Sequence, residues 1–162
     1  MSRVRTAVLI SGRGSNLKSL IAACAGKDFP AEIDKALREA NAALVCEAGF
    51  MRIHSEWFVT RWAGRILNIH PSLLPKFPGT HVHEQVLAAG ERESGATVHF
   101  LTPELDAGPI VAQARVTVLD GDTVETLSTR VLEAEHILYP EALRLVAEGR
   151  VRLQDGKAVA VV

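Results

Sequence analysis

The fold is indicated first by the stretch VRTAVLISGRGSNLKSLIAAC, residues 4–24. Its opening part, Val4 to Ile10, is rich in apolar and β-branched side chains and predicts a strand. A glycine-rich turn at 11–16 follows, and apolar residues then recur at the spacing of a helix. A strand, a turn and a helix in this order predict the first unit of a parallel α/β sheet.

The alternation of strands and helices continues along the chain. Ala43 to Cys46 is an almost continuous apolar run, as expected of a strand that is buried on both faces. Two later β runs are joined by the long connector at 102–109, and loops of this size between strands often carry function. The predicted elements are a helix at 34–40, a strand at 43–46, a helix capped by Ser55, a strand at 65–69, a helix at 82–89, strands at 96–101 and 110–119, a long helix from about 123 and a hairpin at 151–160.

Length and composition limit the function classes. A chain of 162 residues with 48% hydrophobic residues predicts one globular domain over residues 1–162. Its net charge of -1 gives no basic surface for nucleic acid. The apolar run that ends at Ile10 is too short for a signal peptide or a membrane span, so we expect a cytoplasmic protein. The two cysteines lack the spacing of a thiolate zinc site.

A polar pair closes the predicted strand at 65–69, in the run NIHPSLLP, residues 68–75. Prolines prevent the strand from continuing, so Asn68 and His70 lie at its end. Alternate residues of a strand face one side, which places these two side chains together and Ile69 opposite. An amide can donate to a developing oxyanion, and an imidazole can hold or move a proton near neutral pH. The pair is therefore half of a candidate acyl-transfer site.

A structural role is the alternative for each of these residues. A histidine at a strand end is more often structural than catalytic, and Asn before a turn often caps the backbone. Asp106, beside glycine in the 102–109 connector, can likewise cap a turn, or it can contact an imidazole and raise the imidazole pKa. Residue types alone leave both interpretations open.

The turn Gly14-Ser15-Asn16 leads into a predicted helix N-terminus, where unpaired amides and the helix dipole favour a phosphate. It is not a P-loop, because no Gly-Lys-Ser/Thr follows, and Leu17 stands where a dinucleotide fingerprint has its third glycine. A tight turn that needs glycine explains it equally well. His81 and His83 lack a third ligand at a recognisable spacing, so we expect no metal.

Four segments together resemble the phosphoribosylglycinamide formyltransferases, a family of folate-dependent enzymes of purine synthesis. They are SGRGSNL at 11–17, AGFMRI at 48–53, NIHPSLLP at 68–75 and ELDAGP at 104–109. They span almost the whole chain in the order of the family. The resemblance implies a Rossmann-like, mostly parallel sheet flanked by helices. It also implies transfer of a formyl group from 10-formyltetrahydrofolate to the amine of glycinamide ribonucleotide.

The resemblance also implies roles for particular residues. Asn68, His70 and Asp106 would be catalytic. The ribonucleotide would bind through its phosphate at Gly14, Ser15 and Asn16 and through its ribose hydroxyls at Glu135, which without the resemblance reads as a solvated surface carboxylate. The folate cosubstrate would bind at Met51, Arg52, Ile53, His54, Asn68, Leu101 and Leu105. The implied partners are small molecules, with no nucleic acid, membrane or metal, and the protein would be a monomer or a homodimer.

Three features depart from the family pattern. Glu47 and His54 occupy positions where relatives usually place apolar residues beside the pterin, so we expect a more polar or differently shaped folate pocket. Between Ile33 and Asp34 the chain passes from what reads as a second strand, starting near Ala31, directly into a helix. A segment on the order of 30 residues, comparable to a βαβ unit, is therefore expected to be missing at this junction.

Related activities share the Asn-x-His pair and the later Asp. By resemblance, a formyltetrahydrofolate deformylase would add a regulatory domain before this one, and a methionyl-tRNA formyltransferase would add a basic C-terminal domain. Neither addition fits into 162 residues. A deformylase-like hydrolase and an inactive nucleotide-binding relative stay as the alternatives.

Overall fold

The structure is a computed structural model that describes residues 4–10, 29–50 and 54–161. Strands and helices alternate through most of this part of the chain, as the sequence predicts. The elements are β1 (Thr6–Ile10), α1 (Phe29–Glu39), β2 (Leu44–Ala48), α2 (Glu56–Arg61), β3 (Ile66–His70), α3 (Val82–Ala88), β4 (Glu93–Phe100), β5 (Ile110–Thr117), α4 (Val124–Ala147), β6 (Val151–Gln154) and β7 (Lys157–Ala160).

The main sheet has the strand order β1-β2-β3-β4-β5. The first three strands pair in parallel, β4 is antiparallel to β3, and β5 is antiparallel to β4. Four of the five strands thus run in one direction and only β4 is reversed. The predicted mostly parallel α/β sheet is confirmed, with this one reversal. The predicted terminal hairpin is present as β6 paired with β7.

Helices cover both faces of the sheet because its strands carry apolar residues on both. Leu67 and Ile69 of β3 face a core that includes α3 and α4. Ile66, on the opposite face, packs with α1 and α2. We call this second side the α1 face. The buried residues of its core are Leu37, Ala42, Val45, Phe58, Trp62 and Ile66.

Asp34 holds α1 to the neighbouring helix. Its buried carboxylate accepts hydrogen bonds from Nε of Arg38 and Nε of Arg61, both at 2.8 Å, and from Nε1 of Trp62 at 2.9 Å. Burial acts to raise the pKa of Asp34, but the bonds from Trp62, Arg61 and Arg38 outweigh it and hold the pKa below its usual value. The ionised carboxylate is therefore part of the packing between α1 and α2.

The junction between Ile33 and Asp34 lies inside α1, which runs unbroken from Phe29 to Glu39. The expectation of a strand near Ala31 is therefore wrong. Arg38 lies one turn after Asp34 and bonds to it, so these residues favour the helix over an extended strand. The expected missing segment at this junction stays a prediction.

Candidate active site

The end of β3 delivers two polar side chains to one face of the sheet. Asn68 and His70 face the α1 side, whereas Ile69 belongs to the core against α4. His70 is buried, and Asn68 is partly exposed. After the strand the chain turns back over β4, where the Thr97 hydroxyl donates to the Ser72 carbonyl at 2.6 Å. This hydrogen bond fixes the path of the chain directly after β3.

Asp106 reaches the same place from the connector between β4 and β5. Its backbone is left-handed, with φ of 49°, and its carboxylate Oδ2 accepts a hydrogen bond from the Gly79 amide at 2.8 Å. Gly108 lets the loop lie directly against the end of β4, because a Cβ at this position would sit 1.7 Å from the Phe100 carbonyl oxygen. The loop is thus held close to β4, with the Asp106 carboxylate turned inward.

The structure brings the histidine and the carboxylate together. Nδ1 of His70 lies 3.4 Å from Oδ2 of Asp106, and both side chains are at least nine-tenths buried. Nε2 of His70 donates to the Phe77 carbonyl at 2.8 Å. Both ring nitrogens therefore face acceptors, an environment that suits a ring carrying two N–H groups. The predicted approach of Asp106 to His70 is confirmed, while their catalytic role is still a prediction.

His99 is a neighbour that sequence reasoning missed. It lies opposite Asn68 in the β3–β4 register, and its Nε2 accepts a hydrogen bond from the Asn68 amide at 3.3 Å. Its Nδ1 donates to the Phe100 carbonyl at 3.0 Å. The same Nε2 is 3.8 Å from Oδ1 of Asp106. A signal was present in the sequence, since Thr97 and His99 are polar residues at a spacing of two in the otherwise apolar run at 96–101.

Burial lowers the pKa of His99, and the positive ring of His70 acts in the same direction. The hydrogen bond to the Phe100 carbonyl and the charge of Asp106 oppose this shift without cancelling it. A neutral ring with its hydrogen on Nδ1 agrees with the hydrogen bonds, because Nε2 must then be an acceptor. Two histidines therefore flank Asp106: His70 through its Nδ1, and His99 through the Nε2 of a neutral ring.

The other predicted site residues are distributed unevenly. Glu135 lies on α4, where burial raises its pKa although His136 lowers it. Leu101 donates its amide hydrogen to the Ile66 carbonyl at 3.0 Å, and Leu105 is 68% exposed. His54 is nearly buried and contacts Glu47. The predicted phosphate residues Gly14, Ser15 and Asn16 and the predicted folate residues Met51, Arg52 and Ile53 lie outside the described residues.

Within residues 4–10, 29–50 and 54–161, no group of three or more His, Cys, Asp or Glu side chains is arranged to hold a metal ion. In the same part of the chain, no helix is both long enough and apolar enough to cross a membrane. An open groove of about 630 Å³ lies between the 102–109 loop and the terminal hairpin. Its lining does not include Asn68, His70 or Asp106, so it is separate from the polar cluster.

Comparison with known proteins identifies relatives along almost the whole chain. Residues 25–143 match the Formyl transferase family. The phosphoribosylglycinamide formyltransferase of Escherichia coli K12 is 38% identical, in an alignment that covers 93% of this chain and 91% of that protein. The bovine trifunctional purine biosynthetic protein adenosine-3 is 46% identical over 94% of this chain. The chain spans only about a fifth of that larger protein.

The alignments are longer than the chain. The bovine alignment has 194 positions, but 94% of 162 residues is about 152, so about 42 aligned positions have no residue here. The same reasoning gives about 41 for the Escherichia coli protein, from 192 positions and 93% of the chain. These relatives therefore contain a stretch or stretches that this sequence lacks.

Solved structures agree with the sequence relatives. The phosphoribosylglycinamide formyltransferase of Anaplasma phagocytophilum is 40% identical with a TM-score of 0.85, covering 99% of this chain and 96% of that one. A formyltetrahydrofolate deformylase of Pseudomonas syringae is 26% identical with a TM-score of 0.84, covering 99% of this chain and 67% of that one. The higher identity, and an alignment that covers nearly all of both chains, favour the first group. The chain therefore belongs to the phosphoribosylglycinamide formyltransferases of the formyl transferase family.

Proposed function

We propose that this protein transfers the formyl group of 10-formyltetrahydrofolate to the amine of glycinamide ribonucleotide, in purine biosynthesis. The observation that carries the proposal is the cluster at the end of β3, in which Asp106 contacts His70. Asn68 lies two residues before His70 and on the same face of the strand. An amide donor, an imidazole and a carboxylate are the groups that direct acyl transfer between two bound substrates requires. No covalent enzyme intermediate is needed.

Asn68 stabilises charge in this proposal. The substrate amine attacks the formyl carbon, a carbon–nitrogen bond forms, and the formyl oxygen becomes an oxyanion. The Asn68 amide has two hydrogens, and only one is used by His99, so the other is available to the oxyanion. Because His99 holds the amide in place before substrate binds, the donor needs little reorganisation.

His70 and Asp106 assist the proton transfers that accompany attack by the amine and release of the folate. In its protonated form His70 is a second donor to the oxyanion, and the Asp106 carboxylate lies 3.4 Å from its Nδ1. The bond between the formyl carbon and folate nitrogen then breaks, and the proton lost by the attacking amine ends on that nitrogen. The Nε2 hydrogen of His70, which the Phe77 carbonyl holds in this structure, becomes available when that bond is exchanged for substrate.

The residues that bind the two substrates are assigned by resemblance to the family. Gly14, Ser15 and Asn16 are proposed to bind the ribonucleotide phosphate, and Met51, Arg52 and Ile53 to contact the folate together with His54, Leu101 and Leu105. Glu135 is proposed to bind the ribose hydroxyls. Support for Glu135 is indirect: Tyr139, one helical turn later, anchors α4 to the Glu47 and Leu67 carbonyls, beside Asn68.

The test is to mix the purified protein with both substrates and follow tetrahydrofolate by its absorbance. Product formation that requires glycinamide ribonucleotide supports the proposal. Product formation without the ribonucleotide supports the hydrolase alternative. Absence of product with either mixture, in a folded protein that still binds the ribonucleotide, supports an inactive relative. Asp106→Asn is the matched control, since it removes the charge beside His70 at nearly constant size.

The partners, the compartment and the oligomeric state of the protein are proposed as well. The partners are the two small molecules, no metal takes part, and the protein acts in the cytoplasm as a monomer or a homodimer. Sedimentation of the purified protein, with and without folate, determines the oligomeric state directly.

A further inference from the structure

His70, Thr97 and Gln113 form a polar row across three neighbouring strands. Thr97 is directly opposite His70 in the register of β3 and β4, and Gln113 is directly opposite Thr97 in the register of β4 and β5. Residues opposite each other in an antiparallel pair project from the same face of the sheet. Thr97 is fully buried, whereas Gln113, on the last strand in the sheet order, is exposed. The row therefore runs from the candidate site to the edge of the sheet.

The segment 72–79 after β3, which we call the site loop, makes two contacts with the candidate site. The Phe77 carbonyl accepts from Nε2 of His70 at 2.8 Å, and the Gly79 amide donates to Oδ2 of Asp106 at 2.8 Å. Both loop groups belong to the main chain, so the path of the loop decides where they lie. The backbone of Phe77 is left-handed, with φ of 54°. A residue with a side chain keeps this conformation only where its surroundings hold it.

Thr97 holds the beginning of the site loop. Its hydroxyl donates to the Ser72 carbonyl at 2.6 Å and accepts from the Leu74 amide at 3.1 Å. The same oxygen accepts from Nε2 of Gln113 at 2.9 Å. A hydroxyl has one hydrogen to donate and two lone pairs, and all three are used here. The bonds of this buried group therefore fit one arrangement of the loop.

Gln113 completes the network from the outside of the sheet. Its Nε2 donates to the Leu74 carbonyl and to the Thr97 hydroxyl oxygen, each at 2.9 Å. Because a carbonyl can only accept, the side-chain amide must present its nitrogen to the loop. Leu74 is thus held at both its amide and its carbonyl. Neutral hydrogen bonds at an accessible position add little to stability, so the main effect of Gln113 is on the geometry of the loop.

The position of Leu74 is passed on through the site loop itself. The Ser72 hydroxyl donates to the Lys76 carbonyl at 2.6 Å, and the Lys76 amide donates to the Leu73 carbonyl at 3.1 Å. These bonds close a compact turn directly before Phe77. A shift at the start of the loop therefore moves the Phe77 carbonyl, and the Gly79 amide two residues later.

We propose that Gln113 is a positioning residue that sets the path of the site loop, and through it the orientation of the His70 ring and the Asp106 carboxylate. Gln113 acts through Thr97 and Leu74 and does not touch the reacting atoms. Its effect on the rate rests on the proposed function, because it assumes that His70 and Asp106 take part in formyl transfer. Its effect on the geometry of the two side chains does not.

Hydrogen exchange of two histidine rings tests the geometry without substrates. The Phe77 carbonyl holds the Nε2 hydrogen of His70, and the Phe100 carbonyl holds the Nδ1 hydrogen of His99. Nitrogen NMR follows both in Gln113→Met, which has a side chain of similar length without donors. The His70 hydrogen should exchange at least about tenfold faster, as expected when one loop opens locally, and the His99 hydrogen should stay within about twofold.

Steady-state kinetics test the consequence for the reaction. In Gln113→Met we expect kcat to fall by about tenfold while both Michaelis constants stay within about twofold, because the catalytic groups are misplaced and the binding surfaces are not. Gln113→Lys should recover most of the loss, since its ammonium group can donate to both acceptors. Arg115→Met is the control on the same strand: Arg115 is exposed and bonds to Glu93, and its loss should change neither kcat nor ring exchange.

The outcomes separate a positioning role from a structural one. Wild-type exchange of the His70 hydrogen in Gln113→Met, or equal acceleration of the His70 and His99 hydrogens, overturns the inference. Equal losses of kcat in Gln113→Met and Gln113→Lys overturn it as well, because donation to the loop is then not what matters. A wild type without transferase activity overturns the proposed function instead, and the exchange rates still decide whether Gln113 sets the path of the site loop.

Discussion

The amide nitrogen of Asn68 on β3 lies 3.3 Å from Nε2 of His99 on β4, and the two residues are direct partners across the antiparallel pair. Since Nδ1 of His99 is used by the Phe100 carbonyl, Nε2 is an acceptor and the Asn68 amide must donate to it. One amide hydrogen is therefore fixed toward the sheet. The orientation of the candidate oxyanion donor is set by a residue that need not touch the substrate.

Removing the amide should slow the reaction strongly. We expect Asn68→Ala to cost about 3 kcal/mol of transition-state stabilisation, or roughly a hundredfold in kcat, in the range for one lost oxyanion donor. Asn68→Asp is the matched variant, because it keeps the size of the side chain but removes the donor. Steady-state rates at saturating substrates measure both. An alanine variant with nearly wild-type turnover would refute the role of Asn68.

Because the His99 ring is neutral in the folded protein, we expect the stability of the fold to depend on pH. Burial, reinforced by the charge of His70, lowers the pKa of His99 despite the opposing effects of the Phe100 carbonyl and Asp106. The unfolded chain takes up this proton near pH 6.5, whereas the folded protein takes it up only at lower pH. The contribution of neutral His99 to stability is therefore complete above about pH 6.5. It is lost as the pH falls through the lowered pKa of His99 in the folded protein.

Nitrogen NMR of the His99 ring checks this directly. At pH 6.5 we expect a hydrogen on Nδ1 and none on Nε2, and on acidification the loss of the Asn68 bond when Nε2 becomes protonated. His99→Gln, which can still accept from the amide, should retain more activity than His99→Leu. A ring that is doubly protonated at pH 6.5, or equal activities in the two variants, would contradict this assignment.

The sequence predicts local features of the site better than its assembly. Period-two geometry is enough to place Asn68 and His70 on one face of β3, because that relationship depends only on the strand itself. The contact between His70 and Asp106 joins residues 36 positions apart, and from residue types Asp106 was equally a turn cap. From the sequence, only the resemblance to the family connects the two residues, since the path of a loop depends on packing that no sequence periodicity records.

The errors have similar physical causes. The short segment after Ala31 by itself predicts a strand, although Asp34 and Arg38 at a spacing of four favour one helix with the residues that follow. His99 was missed because its importance comes from lying opposite Asn68, and the antiparallel reversal of β4 that creates this partnership is a property of the whole sheet. Both depend on pairings outside the segment itself.

The loop that carries Asp106 should be sensitive to a single methyl group. A Cβ at Gly108 would lie 1.7 Å from the Phe100 carbonyl oxygen and 3.1 Å from Nδ1 of His99, so Gly108→Ala must push the loop away from β4. We expect kcat to fall by about tenfold or more, because displacement of a positioned catalytic group by about 1 Å has effects of this size or larger. Steady-state kinetics of the purified variant measure it.

Gly121→Ala is the control for backbone strain. Gly121 has φ of 81°, but a Cβ there meets nothing within 4 Å, so the substitution adds strain without a clash. It should lower stability by roughly 1 kcal/mol, with little effect on the rate constant. If Gly108→Ala and Gly121→Ala reduce kcat equally, close packing of the 102–109 loop is not what positions Asp106.

The ionised carboxylate of Asp34 should stabilise the fold, and this stabilisation should be lost at low pH. Despite burial, its bonds from Trp62, Arg61 and Arg38 lower the pKa of its carboxyl, so its ionised form is favoured in the folded state. We expect Asp34→Asn to lower the free energy of unfolding by about 1 to 3 kcal/mol near neutral pH. The stabilisation is complete above the unfolded pKa of about 3.9 and disappears as the pH falls through the lowered folded value.

Urea unfolding at several pH values tests this sign. The difference between wild type and Asp34→Asn should be constant from neutral pH down to about pH 5 and shrink below about pH 4. Glu93→Gln is the control, because its ion pair with Arg115 is exposed and should contribute less than about 1 kcal/mol. A difference that grows on acidification would show that the Asp34 carboxylate is not preferentially ionised in the folded protein.

The junction between Ile33 and Asp34 gives the last prediction. About 42 positions of the bovine alignment have no counterpart in this chain, and the departure from the family pattern falls at this junction. We therefore expect the protein made from its gene to carry additional residues between Ile33 and Asp34. At 17.5 kDa for 162 residues, about 42 more residues would add about 4.5 kDa to the intact mass.

Tryptic digestion locates the difference, because a continuous chain releases the peptide DFPAEIDK, residues 28–35, which spans the junction. An intact mass of 17.5 kDa together with that peptide would rule out the missing segment and establish a real deletion, in which α1 has replaced the absent elements.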